Sequence, residues 1–404
     1  MPKSQPQKSF IQAMLKATRM TGKGSLMDAT RVIQRALLGS GQAPRRTATA
    51  APRASTPRPA TSSTRTGSAW SPVMEKHHAG AAPDITDLVP RPARFEAVDE
   101  PVQGGQTSPD APAALPSSFT RHTFSFDGEQ YPYRLYIPAT PSTGEAAAAM
   151  PLIVLLHGCT QNAQDFARGT AMNTLADEHQ CMVLYPEQIA SSNSQRCWNW
   201  FEPGHQQLDR GEPGMIAALA QKILAGDQHG RRADPARVYI AGLSAGGAMA
   251  AVVAALYPDQ FAALGVHSGL AAGAAQNLMS AFGAMRMGAK GSGAPALPTI
   301  VFHGSADKTV HPDNGDYITD AALAALKADG LSLVKSRSIV GAAGQKAERI
   351  VYSAASGPSY VEHWLVDAGP HAWSGGDAAG SYTDPEGPSA SAAMMAFFLQ
   401  HRKA

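Results

Sequence analysis

The sequence has few cysteines, few charged residues and no long apolar run. Its three cysteines, Cys159, Cys181 and Cys197, are too few for a disulfide framework and lack the spacing of a metal site. No segment approaches the roughly 18–20 consecutive apolar residues that cross a bilayer, so we expect no transmembrane segment. Of the 404 residues only 16% are charged and 44% are hydrophobic, so most of the chain can bury a core.

Acidic residues are almost absent from the first seventy positions. Residues 1–70 carry twelve Lys and Arg against one acid, Asp28, although the whole chain has a net charge of only +2. This asymmetry is typical of a basic tail attached to a globular body. The tail also lacks the unbroken apolar stretch of a secretory signal, because Lys16, Arg19 and Lys23 interrupt it. We therefore expect a cytoplasmic protein.

The tail is predicted to have two parts. Residues 8–38 place apolar side chains on one stripe of each of two short helices, so we predict an amphipathic helical leader over residues 1–39. Residues 40–117 are rich in Pro, Ala, Ser, Thr and Arg, a composition that favours a disordered linker. A basic amphipathic leader suits binding to an apolar or anionic surface. Packing on the body or oligomerisation would explain the same pattern.

Residues 118–404 are predicted to form a single α/β domain. Two strand-like runs flank Asp127-Gly128, which indicates an antiparallel hairpin. Short apolar runs then alternate with helical patterns, which favours a mainly parallel central sheet flanked by helices. The runs are 152–156, 182–185, 238–241, 264–266, 299–302 and 361–366, and the helical patterns are 212–225, 245–256, 316–328 and 389–402.

The segment 242–246 reads Gly-Leu-Ser-Ala-Gly and stands between a predicted strand and a predicted helix. This is the strand–turn–helix setting of a nucleophile elbow, in which small residues let the strand and helix approach each other. The helix N-terminus behind Ser244 also directs N–H groups at a developing oxyanion. The pattern predicts Ser244 as the nucleophile of an α/β-hydrolase fold.

A serine nucleophile needs a histidine base and an orienting carboxylate. In this fold they follow the serine in the order acid, then histidine. Asp307 follows the run 299–302, and His371 lies in a Gly-rich loop after the run 361–366. We therefore predict the triad Ser244, Asp307 and His371. Asp313 and Asp316 are the competing carboxylates, and His363 is interpreted as structural.

The oxyanion hole is predicted at the end of an early strand. The run 152–156 leads into His157-Gly158-Cys159, and this loop supplies a backbone donor in the α/β-hydrolase fold. We assign the two donors as the N–H groups of Cys159 and Ala245.

Several motifs together resemble the polyhydroxybutyrate depolymerase family of esterases, which are relatives of feruloyl and acetylxylan esterases. The motifs, which stand in family order over roughly residues 120–402, are His157-Gly158-Cys159 with Gln161, residues 197–201, the Ser244 elbow, His303-Gly304 with Asp307, residues 371–376 and residues 382–388. The resemblance implies a serine hydrolase of carboxylic esters that uses no cofactor and no metal. It implies polyhydroxybutyrate or hydroxyalkanoate oligomers as substrate, with a feruloyl or acetylxylan ester as the alternative.

The resemblance also bears on partners and location. A polyhydroxyalkanoate granule is the surface that residues 8–38 would bind, and a granule-binding protein with a hydrolase body is an alternative function. Neither a nucleic-acid partner nor a further polymer-binding domain is expected. Many members of the family are extracellular, which is the alternative to the cytoplasm.

Six residues around the predicted site have competing interpretations. Trp198, Trp200 and Trp373 are predicted to line an apolar acyl-binding cleft, although core packing would explain each of them equally well. Cys159 and Cys197 are compatible with a disulfide bracing the oxyanion loop or with two buried thiols. Glu212 is expected to be a first-turn acid of a helix rather than a catalytic group.

Overall fold

The computed structural model describes residues 115–139, 149–226, 231–341 and 345–403. The predicted leader, residues 1–39, and the linker up to residue 114 lie outside these ranges. Within them, no helix is both long enough and apolar enough to cross a membrane.

Ten strands form one sheet in the order β1-β2-β4-β3-β5-β6-β7-β10-β9-β8. The six central strands from β4 to β10 are parallel, and antiparallel pairs extend the sheet at both edges. The strands are β1 Ser118–Phe126, β2 Glu129–Ile137, β3 Met150–Leu156, β4 Met182–Pro186, β5 Ala233–Leu243, β6 Ala263–His267, β7 Thr299–Gly304, β8 Val334–Val340, β9 Ala347–Ser353 and β10 Ser359–Val366. Two short strands, β11 Trp373–Ser374 and β12 Thr383–Asp384, pair separately.

Helices cover both faces of this sheet. They are α1 Ala163–Thr170, α2 Met172–His179, α3 Gly211–Ala225, α4 Ala245–Leu256, α5 Leu278–Met287, α6 Asp313–Ala328 and α7 Ala390–Phe398. Side chains of β3 alternate between two cores: Leu152 and Val154 pack on the face of α3 and α4, and Ile153 packs on the face of α1, α2 and α7. Two buried faces explain why the central strands read as unbroken apolar runs. The strand order, the parallel centre and the Ser244 turn between β5 and α4 define the α/β-hydrolase fold.

The predicted hairpin is confirmed, with β1 and β2 paired from Ser118 opposite Ile137 to Phe126 opposite Glu129. Asp127 and Gly128 form its two-residue turn, and both have positive φ, 49° and 80°. Two consecutive positive φ angles define the turn type that matches the twist of paired strands, and Asp-Gly is a preferred sequence for it.

The sequence analysis missed α1, α2, α5, β8, β9 and the two-residue strands β11 and β12. The first two helices have only eight residues each, too short for a clear period. Strand β8 is exposed along nearly its whole length, so it carries no alternating apolar pattern. It is defined by pairing with β9, which a local pattern does not report.

Candidate active site

Ser244 lies in a tight turn between β5 and α4. Its φ is 57° and its ψ is −121°, a conformation that a non-glycine residue adopts only where the surroundings impose it. A Cβ added at Gly242 would lie 2.4 Å from the Gly246 carbonyl carbon, and one added at Gly246 would lie 2.2 Å from the Leu156 oxygen. The two glycines therefore allow the close approach of β3, β5 and α4 that forms the turn.

The structure brings Ser244, His371 and Asp307 together. The Nε2 atom of His371 lies 2.9 Å from Ser244 Oγ, and its Nδ1 atom lies 2.6 Å from Asp307 Oδ2. Ser244 follows β5, Asp307 follows β7 and His371 follows β10, all at the carboxyl edge of the parallel strands. This arrangement lets the imidazole accept the serine proton while the carboxylate holds its other nitrogen.

Asp307 is held in its ionised form by several donors. Its Oδ1 atom accepts hydrogen bonds from the N–H groups of Thr309 at 2.8 Å and Val310 at 2.9 Å. Burial alone would raise the pKa of Asp307, but contacts with His303 and His371 outweigh it and hold that pKa well below its usual range. The carboxylate therefore remains an acceptor for His371 at neutral pH.

The competing acids lie elsewhere. Asp313 and Asp316 are in the first turn of α6, with side chains 51% and 66% exposed. Asp313 lies 3.4 Å from His311, and Asp316 lies 3.5 Å from His363, which is buried inside β10. Within the described ranges, His371 pairs with Asp307 and with neither of these two acids.

The oxyanion loop, residues 157–161, leaves one backbone donor unused. The N–H of Gly158 donates to Gln161 Oε1, that of Thr160 to the Gln195 oxygen, and that of Gln161 to the Gly158 oxygen. Among the described residues, no acceptor contacts the N–H of Cys159. Ala245 is the first residue of α4, so its N–H precedes the intrahelical ladder. These are the two donors that the sequence analysis assigned.

The oxyanion loop is held by a buried neutral histidine. Burial lowers the pKa of His157, whose Nε2 accepts from the Gln188 N–H at 3.1 Å. Its Nδ1 then donates to the Gly158 oxygen at 2.7 Å, and its carbonyl accepts from Trp198 Nε1 at 3.1 Å. Both ring nitrogens of His157 make hydrogen bonds, and these bonds hold the oxyanion loop in one arrangement.

Of the two interpretations of the cysteine pair, the structure has the disulfide, which joins Cys159 to Cys197. The loop containing Cys197 is also held by Glu212 in the first turn of α3. The buried Glu212 carboxylate accepts from the N–H of Asn199, from the side-chain amide of Asn199 and from Gln188 Nε2. Its position is that of the first-turn acid expected from the sequence, and it connects α3 to the disulfide.

The three tryptophans lie in the interior, which corrects the prediction that they line a cleft. Trp198, Trp373 and Trp200 are 0%, 1% and 4% exposed. Trp373 Nε1 donates to Ser391 Oγ at 2.9 Å, and Trp200 packs edge-on against Phe201. A ring without exposed surface contacts a substrate only after the core repacks, so these are core aromatics that support the neighbouring loops.

His267, at the end of β6, supports the site and was missed from the sequence. Its carbonyl accepts from the Ser244 N–H at 2.9 Å, and its Nε2 accepts from the Ser374 N–H at 3.0 Å. Its ring stacks on Trp373, and burial is the main cause that lowers its pKa to about 3. It therefore joins the serine turn to the loop of His371. No local motif marks it, because both contacts are distant in sequence.

No metal centre is formed within the described ranges, where no three His, Cys, Asp or Glu side chains are placed to hold an ion.

Comparison with known proteins places these residues in a family context. Residues 131–331 match the family model described as esterase PHB depolymerase. The chain is 37% identical over 182 residues to poly(3-hydroxyalkanoate) depolymerase C of Paucimonas lemoignei, covering 41% of this chain and 43% of that protein. It is 32% identical over 165 residues to poly(3-hydroxybutyrate) depolymerase of Ralstonia pickettii, covering 39% and 33%.

A third relative is named as a feruloyl esterase rather than as a depolymerase. Feruloyl esterase B of Thermothelomyces thermophilus is 34% identical over 148 residues, covering 36% of this chain and 47% of that protein. The matched region thus spans less than half the length of each of these three relatives.

Proposed function

Because the chain belongs to the PHB depolymerase family of esterases, we propose that it hydrolyses carboxylic esters, with polyhydroxybutyrate or its hydroxyalkanoate oligomers as substrate. The hydrogen-bonded series from Ser244 through His371 to Asp307 carries this proposal. Packing alone does not require these three residue types at the carboxyl ends of β5, β10 and β7.

The proposed reaction is acyl transfer in two steps. His371 takes the proton of Ser244, which attacks the ester carbonyl, and the N–H groups of Cys159 and Ala245 stabilise the oxyanion. The same histidine then protonates the leaving alcohol. It next activates water, which releases the acid from the acyl-enzyme. Asp307 keeps the imidazole in the working tautomer and stabilises its cation.

A feruloyl or acetylxylan ester is the second candidate substrate. It is supported by the 34% identity to feruloyl esterase B and by 30% identity over 203 residues to a probable acetylxylan esterase A of Aspergillus clavatus. On such a substrate the same three residues of this chain would act, with different surroundings for the substrate.

A substrate panel tests the proposal. We expect hydrolysis of p-nitrophenyl butyrate, hydroxybutyrate oligomers and amorphous polymer, with little release from feruloylated or acetylated xylan. The matched control is Ser244→Ala, which should fold as the wild type and lose on the order of 10³-fold or more in turnover. A variant that keeps a tenth of the activity would contradict the role of Ser244. Faster release from xylan would favour the second candidate.

The disulfide supports a compartment other than the cytoplasm. Disulfides persist in oxidising compartments and are rare in the cytosol, so we propose the extracellular alternative. Alkylation of the natively produced protein, with and without reductant, tests this. Only Cys181 should be unpaired before reduction, whereas three free thiols in protein recovered from the cytosol would contradict the proposal.

A further inference from the structure

A cavity of about 350 Å³ lies beside the oxyanion loop, at the carboxyl end of β4. Its volume is within the range of small-molecule sites. We call it the arginine pocket, and its polar lining includes Arg121, Arg134, Arg196, Glu187, Asn162 and Gln164. The triad and the oxyanion hole use none of these residues.

Positive charge in the arginine pocket exceeds negative charge. Glu187 is its one acid, and it already accepts from the Ala163 N–H at 3.2 Å and lies 3.6 Å from Arg121. Arg134 donates to the neutral amide oxygen of Gln164 at 3.1 Å, and its buried Nε has no hydrogen-bond partner. In the described part of the chain, the Arg196 guanidinium has neither a hydrogen-bond partner nor an ion pair.

Three connections join the arginine pocket to the oxyanion loop. Gln188, which also lines the cavity, donates from its N–H to His157 Nε2 at 3.1 Å. The Gln195 oxygen accepts from the Thr160 N–H at 2.7 Å, and Arg196 immediately precedes the disulfide-bonded Cys197. Strand β4 lies two positions from β5 in the sheet, a lateral distance of about 10 Å. This strand spacing is comparable to the length of a ligand of a few monomer units.

Guanidinium groups are suited to carboxylates, because two parallel N–H donors match the two carboxylate oxygens. An oligoester of hydroxy acids has one free carboxylate, at its acid end. In such a chain the acid end is always on the leaving-alcohol side of the ester bond that is cleaved. A carboxylate held beside the oxyanion loop would therefore position an ester bond a few units away over Ser244.

We propose that the arginine pocket binds the free carboxylate end of an oligoester substrate and directs cleavage to bonds a fixed number of units from that end. This proposal rests on the proposed esterase function and specifies its substrate as an anionic oligomer. Uncharged polymer interior would be cleaved without help from the arginine pocket.

Steady-state kinetics on a charged and an uncharged version of one oligomer test whether the arginine pocket binds the free carboxylate end. The substrates are the 3-hydroxybutyrate trimer as free acid and as methyl ester, with p-nitrophenyl butyrate as the baseline, all in low salt. We expect the wild type to have a KM about tenfold lower for the free acid, the effect of one charge-assisted bidentate contact. Arg196→Gln should raise that KM about tenfold, with kcat and both uncharged esters nearly unchanged.

The matched control is Arg232→Gln, which removes the same charge from an exposed position before the amino end of β5. It should leave all three substrates unchanged. Equal KM values for the free acid and methyl ester in the wild type would overturn the proposal, as would equal effects of the two variants. Failure to hydrolyse any of the three esters would instead reject the esterase function itself.

An inhibition experiment distinguishes binding of the substrate from binding of the released acid. Added 3-hydroxybutyrate carries the same carboxylate as the acid end of the trimer. If it inhibits the wild type but not Arg196→Gln, while the trimer acid has no KM advantage, the arginine pocket binds released acid and the substrate assignment is wrong. Weak inhibition together with the KM advantage supports the proposal.

Discussion

At the scale of single residues, Asp307 differs in its environment from the two competing acids, Asp313 and Asp316. Asp307 is buried, accepts two backbone N–H groups and lies 2.6 Å from His371, whereas the Asp313 side chain is half exposed. Two aspartates only six positions apart in the chain therefore have different environments. Chain order alone had left Asp313 and Asp316 as alternatives.

Asp307→Asn should lower turnover by about 10³–10⁴-fold, because an amide no longer selects the working tautomer of His371. Asp313→Asn is the matched control, and we expect it to stay within about twofold of the wild type, since surface substitutions have small effects. Steady-state turnover of p-nitrophenyl butyrate measures both. A larger loss for Asp313→Asn would show that the carboxylate has been misassigned.

Buried neutral histidines predict how stability depends on pH. Burial is the main cause that lowers the pKa of His267 to about 3 and the pKa values of His363 and His401 to about 4. These side chains take up protons near pH 6.5 when the chain unfolds but remain neutral in the fold. Their contribution to stability is therefore complete above pH 6.5 and is lost as the pH falls from 6.5 towards 4.

His401→Gln isolates one of these groups away from the triad. Below pH 6 each such histidine contributes a slope of about 1.4 kcal/mol per pH unit to the unfolding free energy. The variant should be less stable at pH 7, because the ring packs on Phe397, yet its stability should fall less steeply between pH 6 and 4. Urea unfolding at several pH values measures this. An unchanged slope would mean that His401 is protonated in the fold.

At the scale of secondary structure elements, the contact of α4 with β3 and β5 depends on glycines, because they carry no Cβ at the point of closest approach. Gly246 faces the carbonyl oxygens of Leu156 and His157, both backbone atoms that cannot rotate away. The nucleophile turn is therefore as much a property of the glycine as of Ser244. Sequence analysis recognised the motif, and the structure identifies the atoms that require it.

Gly246→Ala should lower both stability and turnover, because its Cβ would lie 2.2 Å from the Leu156 oxygen and displace α4 or the oxyanion loop. We expect a stability loss of about 1–3 kcal/mol or more, the range for overpacking a well-packed core. Gly293→Ala is the control, since a Cβ there meets no atom within 4 Å. Thermal unfolding and ester turnover compare them, and equal behaviour would contradict the close approach.

At the scale of the whole molecule, every residue of the triad and of the oxyanion hole lies beyond residue 156. Deleting residues 1–114 should therefore leave kcat/KM on p-nitrophenyl butyrate within about twofold. The deletion removes the basic amphipathic segment 8–38, and binding to polyhydroxyalkanoate granules should weaken as a result. Co-sedimentation of the full and shortened chains at low and high salt measures this. Equal binding by both would exclude the leader as a granule tether.

The sequence by itself determined the fold class, the hairpin, the six central strands and the order of Ser244, Asp307 and His371. Those features are local: apolar runs record burial on both faces of a sheet, and a nucleophile turn needs glycines at fixed offsets. Only tertiary structure decided the burial of Trp198 and Trp373, the Cys159–Cys197 disulfide, the role of His267 and the grouping of three arginines in one cavity. These depend on residues far apart in the chain, whose proximity follows from strand order.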